Sequence, residues 1–126
     1  MSTNSHIGKQ LENGSIKYIY CHWNGKPSDN GQILKEHYTD EAKVDALLEL
    51  GSLSILNEEI GEQQDFNNRD THHEKWCLAY GRDRGDKNTK AKIAKSLSDL
   101  LYRKYHYVWV NGEWHCYDDK GQEMKL

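Results

Sequence analysis

The segment Gly81-Arg82-Asp83-Arg84-Gly85 carries a dense charged pattern, and it lies between a predicted strand and a predicted helix. In an extended backbone the side chains of Arg82 and Arg84 point to one side and Asp83 points to the other. Two guanidinium groups flanked by glycines suit a phosphate or a carboxylate. The pattern therefore predicts a site for an anion or an acidic partner at Arg82, Asp83 and Arg84. The alternative is a structural turn whose charges pair with their neighbours.

A second polar cluster, Cys21-His22-Trp23-Asn24, ends the first predicted strand. Strand ends that precede loops often carry function, so His22 and Asn24 are further candidates for contact with a partner or an anion. Cys21 and His22 point to opposite faces of a strand and therefore cannot form a nucleophile–base pair. The alternative for His22 is a sheet histidine that is hydrogen-bonded to a neighbouring side chain.

Residue types that bind zinc also occur at His72, His73 and Cys77, but their spacing with His22 matches no zinc signature. The chain contains no Gly-x-x-x-x-Gly-Lys, Gly-x-Gly-x-x-Gly, His-Glu-x-x-His or Gly-x-Ser-x-Gly motif. The sequence therefore predicts no metal, no cofactor and no catalytic residue. It favours a binding protein over an enzyme.

Charge is segregated along the chain, although the net charge is only −3. Residues 29–74 hold twelve acidic and three basic residues, and residues 75–104 hold nine basic and three acidic residues. Such a division can steer a charged partner to one side of a protein. The basic residues are not regularly interleaved with aromatic ones, so no direct sequence-specific nucleic-acid binding is predicted. The acidic segment predicts a surface that imitates nucleic-acid phosphate, with these candidates: Asp40, Glu41, Asp45, Glu49, Glu58 and Glu59.

Length and composition predict one domain with an ordinary core, because the chain has 126 residues of which 36% are hydrophobic. No stretch approaches the roughly 20 apolar residues of a membrane helix, and residues 1–14 lack the features of a signal peptide. Three widely spaced cysteines, an odd number, predict free thiols in a reducing compartment. We therefore expect a cytoplasmic location and no membrane contact.

These residues must be positioned by a small number of elements. We expect residues 1–14 to be a flexible tail and residues 15–126 to form a single domain. Residues 16–23 alternate as a strand, and capping and apolar spacing predict helices over residues 31–38 and 39–50. Ile93, Leu97, Leu100 and Leu101 recur at helical spacing and predict a third helix over residues 89–104. The polar residues 57–75 form a long connection.

A β-hairpin is predicted near the C-terminus, because Asn111-Gly112 is the preferred type I′ turn. Pairing outward from the turn sets Trp109 opposite Trp114 and Tyr107 opposite Cys116. The sum is an α+β fold with a small, mainly antiparallel sheet, about three helices packed on one side and this hairpin. The aromatic face of the first strand either lies under a helix or forms a dimer interface, so monomer and homodimer both stay open.

Several of these motifs resemble a group of small proteins encoded by phages and prophages. The resemblance rests on Tyr20-Cys21-His22-Trp23-Asn24-Gly25, on Gly31 with Leu34 and Tyr38, on residues 44–54, and on Ala79-Tyr80 with Arg82-Asp83-Arg84-Gly85. It spans roughly residues 16–118. The chain departs from that pattern at Asn24, Lys26 and Gly81.

The resemblance implies a phage accessory protein that inhibits a host defence system, such as a CRISPR effector, by stoichiometric binding. Such inhibitors occlude a nucleic-acid groove, which suits the acidic segment, or sequester a signal nucleotide, which suits the Arg82 and Arg84 turn. The alternative is a protein that binds a nucleotide or another phosphate-bearing metabolite, or hydrolyses it. A phage structural or packaging accessory is the third reading.

Overall fold

A computed structural model describes residues 3–126, which form one sheet of eight strands accompanied by three short helices. The strands are β1 (Ser5–Gln10), β2 (Ile16–Cys21), β3 (Leu53–Ile55), β4 (Leu78–Ala79), β5 (Lys92–Ala94), β6 (Tyr105–Val110), β7 (Glu113–Tyr117) and β8 (Glu123–Met124). The helices are α1 (Gln32–His37), α2 (Glu41–Leu50) and α3 (Tyr80–Arg84), with a π-helical turn at Pro27–Gly31 and 3-10 turns at Arg69–Thr71 and Leu97–Leu100.

The strand order is β4-β3-β2-β1-β6-β7-β8, with β5 also beside β2. Only the pairs β1–β6 and β2–β3 are parallel within residues 3–126; the other pairs are antiparallel. The predicted α+β class is therefore confirmed. None of the helices in the described part of the chain is long and apolar enough to cross a membrane.

The main core lies between one face of the sheet and the helices α1 and α2. Val44, Leu47 and Leu48 share one face of α2 because they are three and four residues apart, and all three are buried. Asp40 begins this helix by accepting a hydrogen bond from the Lys43 backbone N–H at 2.8 Å. The helix shares this core with buried strand residues on one face of the sheet, which are Ile7, Ile19, Cys21, Tyr107 and Trp109.

Gly51 ends α2 and allows the segment at Thr89 to lie close to the backbone at this point. Its φ of 78° is a conformation that side chains other than that of glycine rarely adopt. A Cβ atom at this position would lie 2.1 Å from the carbonyl oxygen of Thr89, and the next residue, Ser52, donates its backbone N–H to that same oxygen at 2.7 Å. The basic residues that follow Thr89 are thereby held beside β2 and β3.

The flexible tail predicted for residues 1–14 is wrong for residues 5–10, because these residues form β1 in the middle of the sheet. The strand has little apolar alternation, since Ser5 and His6 are buried although both are polar. Gly8 allows the close approach of β2, because a Cβ atom here would lie 2.8 Å from the Lys17 carbonyl oxygen. Residues 1–2 of the predicted tail lie outside the described residues.

The predicted helix over residues 89–104 is also wrong, because this segment forms β5 and a 3-10 turn. β5 pairs antiparallel with β2 from Ile16 to Tyr18 and supplies hydrogen-bond partners for an edge that is otherwise open. Ile93, which the helical pattern placed in the core, is 59% exposed. Leu100 is buried in a small cluster on the second face of the sheet, together with Ile16, Ala94 and Val108.

The terminal hairpin is confirmed in its register and in its turn. Trp109 pairs with Trp114 and Tyr107 with Cys116, and Asn111 and Gly112 both have positive φ, as a type I′ turn requires. The two indole rings meet edge to face with their centroids 5.4 Å apart.

Two buried histidines join β1 to β6 on the second face of the sheet. His6 and His106 are directly opposite in the register, and their Nδ1 atoms are 3.1 Å apart. One ring must donate and the other accept, so this contact fails if both rings carry two protons. Burial, followed by the neighbouring His106 and Arg103, lowers the pKa of His6 from 6.5 to about 3. Burial also lowers the pKa of His106.

We expect the folded protein to lose stability as the pH falls below 6.5. Between the unfolded pKa of 6.5 and the folded pKa of about 3, the unfolded chain binds a proton at His6 that the folded chain does not bind. His6 alone should therefore lower the free energy of unfolding by about 2 kcal/mol between pH 7 and pH 5. Urea unfolding of wild type and of His6→Asn at both pH values measures this difference.

The readout is the change of stability with pH, so a general destabilisation by His6→Asn does not obscure it. His73→Asn, at an exposed loop position, should keep the wild-type pH dependence. An equally steep pH dependence in His6→Asn and in wild type would show that the buried pair does not carry the effect.

Candidate functional site

The predicted anion-binding pair Arg82 and Asp83 forms a buried structural contact. The segment is helical rather than extended, so Arg82 and Arg84 diverge instead of pointing to one side. Arg82 Nε donates to Asp83 Oδ1 at 2.9 Å, and its terminal nitrogens donate to the carbonyl oxygens of Ile60 and Cys77, both at 2.8 Å. The guanidinium is therefore occupied by the chain itself.

Asp83 ties the long polar loop to β4. Its side chain is fully buried and accepts hydrogen bonds from the backbone N–H of Ala79 at 2.7 Å and of Gln64 at 2.9 Å. The Phe66 backbone N–H also donates to the Asp83 carbonyl oxygen, at 3.2 Å. The carboxylate oxygens of Asp83 are therefore satisfied by hydrogen bonds from the chain itself. The alternative reading, a turn whose charges pair locally, describes Arg82 and Asp83 in this structure.

Arg84 lies at the exposed end of α3. Its guanidinium pairs with Asp86 at 2.7 Å and stacks over the rings of Phe66 and Tyr80, at 4.6 Å and 4.7 Å from their centroids. The hydrogen bond from Arg84 lowers the pKa of the Asp86 carboxyl. Arg84 is therefore already paired and does not join Arg82 in a clamp.

His22 and Asn24 lie at the end of β2, apart from this contact. The hydroxyl of Tyr20 and Nδ1 of His22 are 2.6 Å apart, which agrees with the reading of His22 as a hydrogen-bonded sheet histidine. Asn24 has a φ of 60° and accepts a backbone hydrogen bond from Asn30 at 2.9 Å. Within residues 3–126 no hydrogen bond or ion pair joins His22 or Asn24 to Arg82.

The predicted acidic residues divide into two groups. Glu41, Asp45 and Glu49 follow one another at four-residue spacing on one face of α2, with side chains that are 66%, 53% and 77% exposed. Lys9 of β1 and Lys17 of β2 form ion pairs with these carboxylates. The other three have different settings: Asp40 caps α2, Glu58 lies 3.7 Å from His37, and Glu59 pairs through its backbone beside Trp76.

A cavity of about 100 Å³ on the second face of the sheet collects basic and aromatic side chains from four segments. We call it the Arg103 pocket, and the residues that matter for a ligand are Tyr18, Tyr20, Lys90, Lys92, Tyr102 and Arg103. The volume is a few times the roughly 30 Å³ that one water occupies in the liquid. His6 lies in the wall of the pocket and connects it to the buried histidine pair.

Arg103 is held by aromatic rings rather than by a carboxylate. Its guanidinium lies 4.6 Å from the ring centroid of Tyr20 and 5.2 Å from that of Tyr102. Its Nε is buried and has no hydrogen-bond partner. Across residues 3–126 no ion pair neutralises Arg103, Lys90 or Lys92, although the chain as a whole is slightly acidic. Three unpaired cations around one cavity are the arrangement that an anion would complete.

Sequence reasoning missed this pocket because its residues are scattered from β1 to the segment that precedes β6. Lys90, Lys92 and Arg103 all fall within residues 89–104, which were predicted as a helix, and a helix would not bring the three around one cavity. One usable signal was the face of β2 that carries Tyr18 and Tyr20. The alternation of the strand places these rings on one face, for which a covering helix and a dimer interface both stayed open.

The fold and the pocket define a small α+β protein with a cavity lined by basic and aromatic side chains and no cluster of metal-ligating residues within the described chain. No family model, curated protein or solved structure matches the chain.

Replacing Asp83 with alanine should lower the free energy of unfolding by about 3–5 kcal/mol, because it leaves a largely buried guanidinium without its partner. Chemical denaturation measures the loss. The matched control is Asp86→Ala, which removes the exposed partner of Arg84 and should leave the denaturation midpoint almost unchanged. Equal effects of the two substitutions would contradict a structural role that is special to Asp83.

Proposed function

We propose that this protein binds a phosphate-bearing small molecule stoichiometrically, with the phosphate held in the Arg103 pocket. This keeps the class of ligand predicted from the sequence and moves the site away from the turn at Arg82 and Arg84. Those two guanidiniums are already paired with Asp83 and Asp86.

The observation that carries the proposal is the unpartnered Arg103. A guanidinium against two tyrosine rings has few orientations left, so little conformational entropy is lost when it binds an anion. Its buried Nε–H lacks an acceptor, and a buried donor without an acceptor is costly. Arg103 has no ion-pair partner among the described residues, so a phosphate in the cavity would balance the charge of its guanidinium, and Lys90 and Lys92 would add two positive charges there.

The state of the cysteines supports binding rather than nucleophilic catalysis. Cys21, Cys77 and Cys116 are free and buried. Burial raises the pKa of Cys21 to about 12 and that of Cys116 to about 11, so both are protonated thiols at neutral pH. A thiolate nucleophile is therefore not supplied by these residues.

Calorimetric titration with inorganic phosphate, pyrophosphate and nucleoside triphosphates tests the proposal. We expect saturable binding of at least one of these ligands by the wild type. Arg103→Ala should weaken it by at least about tenfold, because a hydrogen bond to a charged group is worth about 1.5–3 kcal/mol. Arg103→Lys keeps the charge but loses the planar fork, so its affinity should fall between the two.

Lys104→Ala is the matched control, since Lys104 is the exposed neighbour of Arg103 and does not line the pocket. It should bind the ligand as tightly as wild type. A protein that binds none of the phosphate ligands, or an equal loss in Lys104→Ala and Arg103→Ala, would refute a specific site.

We also propose a setting for this binding, the inhibition of a host defence system by a phage accessory protein, and its support is the resemblance of the sequence motifs. Sequestration of a phosphate-bearing signal molecule would be the mechanism if the Arg103 pocket acts. A second mechanism, occlusion of a basic groove on a partner protein, is favoured by the exposed acidic face of α2, formed by Glu41, Asp45 and Glu49.

A phage-protection assay in bacteria that carry defined defence systems separates the two mechanisms. If the acidic face acts, Glu49→Lys should abolish protection and Arg103→Ala should preserve it; if the pocket acts, the reverse is expected. Asp119→Lys, an exposed charge reversal in the β7–β8 turn, is the control for net charge. Expression that protects no phage from any of these systems would refute the proposed setting.

A further inference from the structure

A second cleft, of about 430 Å³, opens at the end of β2 and takes no part in the Arg103 pocket. We call it the Trp23 cleft. Aromatic and aliphatic side chains form one part of its lining, and polar groups form another. The residues that matter here are Trp23, Asn24, Ile55, Phe66, Arg69 and His72.

Trp23 is exposed but its backbone is fixed. Trp23 is 41% exposed, which is unusual for a tryptophan because this residue is highly buried on average. The Trp23 backbone N–H donates to the Ser54 carbonyl oxygen at 3.1 Å, and its own carbonyl accepts from Asn30 Nδ2 at 3.0 Å. The edge-to-face contact with the His22 ring, at 4.7 Å between centroids, restrains the indole further. A fixed aromatic face is therefore presented to the cleft.

Phe66 supplies a second aromatic wall from the long polar loop. Its backbone is tied to Asp83, and its ring lies 5.5 Å from Tyr80 and 4.6 Å below the guanidinium carbon of Arg84. These contacts hold a half-buried phenyl ring at the surface of the protein. Two held aromatic side chains in one cleft are typical of sites that bind flat rings.

The polar residues of the cleft offer hydrogen bonds at its edge. Asn24 adopts a φ of 60°, a conformation that few residues other than glycine tolerate and that Asn tolerates best, and it lines the cleft directly after Trp23. His72 is oriented by a contact of 2.7 Å between its Nε2 and the Asp65 carbonyl oxygen. The guanidinium of Arg69 has no ion-pair partner among the described residues.

We propose that the Trp23 cleft binds a planar heterocycle of the nucleobase class, stacked against Trp23 and Phe66. An amide, an imidazole and a guanidinium supply both donors and acceptors, and the edge of a nucleobase carries both. An aliphatic ligand would leave these groups unpaired. The proposal does not depend on the Arg103 pocket, because a nucleobase needs no phosphate to stack.

Nucleosides are the probes, since they carry the base and lack the phosphate. Adenosine, guanosine, cytidine and uridine would be titrated while the indole N–H resonances of the labelled protein are followed by NMR. The Trp23 resonance, assigned with Trp23→Phe, should shift saturably with at least one nucleoside. The resonance of Trp109, which is 4% exposed in the core, should stay in place.

Phe66→Leu tests stacking with little change in apolar volume, and it should weaken nucleoside binding by about fivefold or more. Tyr102→Leu is the matched control, because Tyr102 is an exposed ring at the other pocket and should leave nucleoside binding unchanged. No shift of Trp23 with any nucleoside, or equal affinity in Phe66→Leu and wild type, overturns the proposal. If Arg103→Ala loses phosphate binding but keeps nucleoside binding, the two sites are independent, and the failure of one proposal does not affect the other.

Discussion

β1 is hydrogen-bonded along both of its edges, to β2 on one side and to β6 on the other, and this pairing joins the two halves of the sheet. One half consists of β2, β3, β4 and β5, and the other consists of β6, β7 and β8. The buried pair of His6 and His106 sits on that junction. Both candidate sites use residues in or next to β2, and β2 is paired along its length with β1. Their geometry therefore depends on β1, which has hardly any apolar pattern of its own.

The two sites sit on different kinds of support. The Arg103 pocket is built from side chains that lie against the second face of the sheet, where only a small apolar cluster around Leu100 is buried. The Trp23 cleft is built at a strand end, and the contact between Arg82 and Asp83 holds the loop that forms its far wall. A charged motif that reads as a ligand site is therefore used to position a neighbouring aromatic residue. The charged groups of the chain thus fall into two sets. Arg82 and Asp83 are satisfied inside the fold, whereas the cations around the Arg103 pocket remain available to a ligand.

Local patterns predicted the parts of this fold whose stability is local. The hairpin could be placed to the residue because the Asn111-Gly112 turn sets its register, and α2 because Val44, Leu47 and Leu48 share a face. β1 could not be predicted, since its burial comes from neighbours remote in sequence rather than from its own side chains. The helix expected at Ile93 failed for the same reason, because the open edge of β2 decided the conformation of that segment. The Arg103 pocket requires both of these long-range results, so it could not be assembled from the sequence.

The pairing of β1 with β6 also has a consequence for how the chain folds. The two partners are separated by 100 residues at His6 and His106, so closing this contact carries the entropy loss of a very long loop. Folds dominated by such distant pairings fold slowly. During synthesis β1 can pair with β2 at once, but its other edge stays open until residues 105–110 have left the ribosome. During this interval the unpaired edge of β1 can pair with another chain and aggregate. Lys9 and Lys17 place charges on the β1–β2 hairpin, and such charges disfavour aggregation.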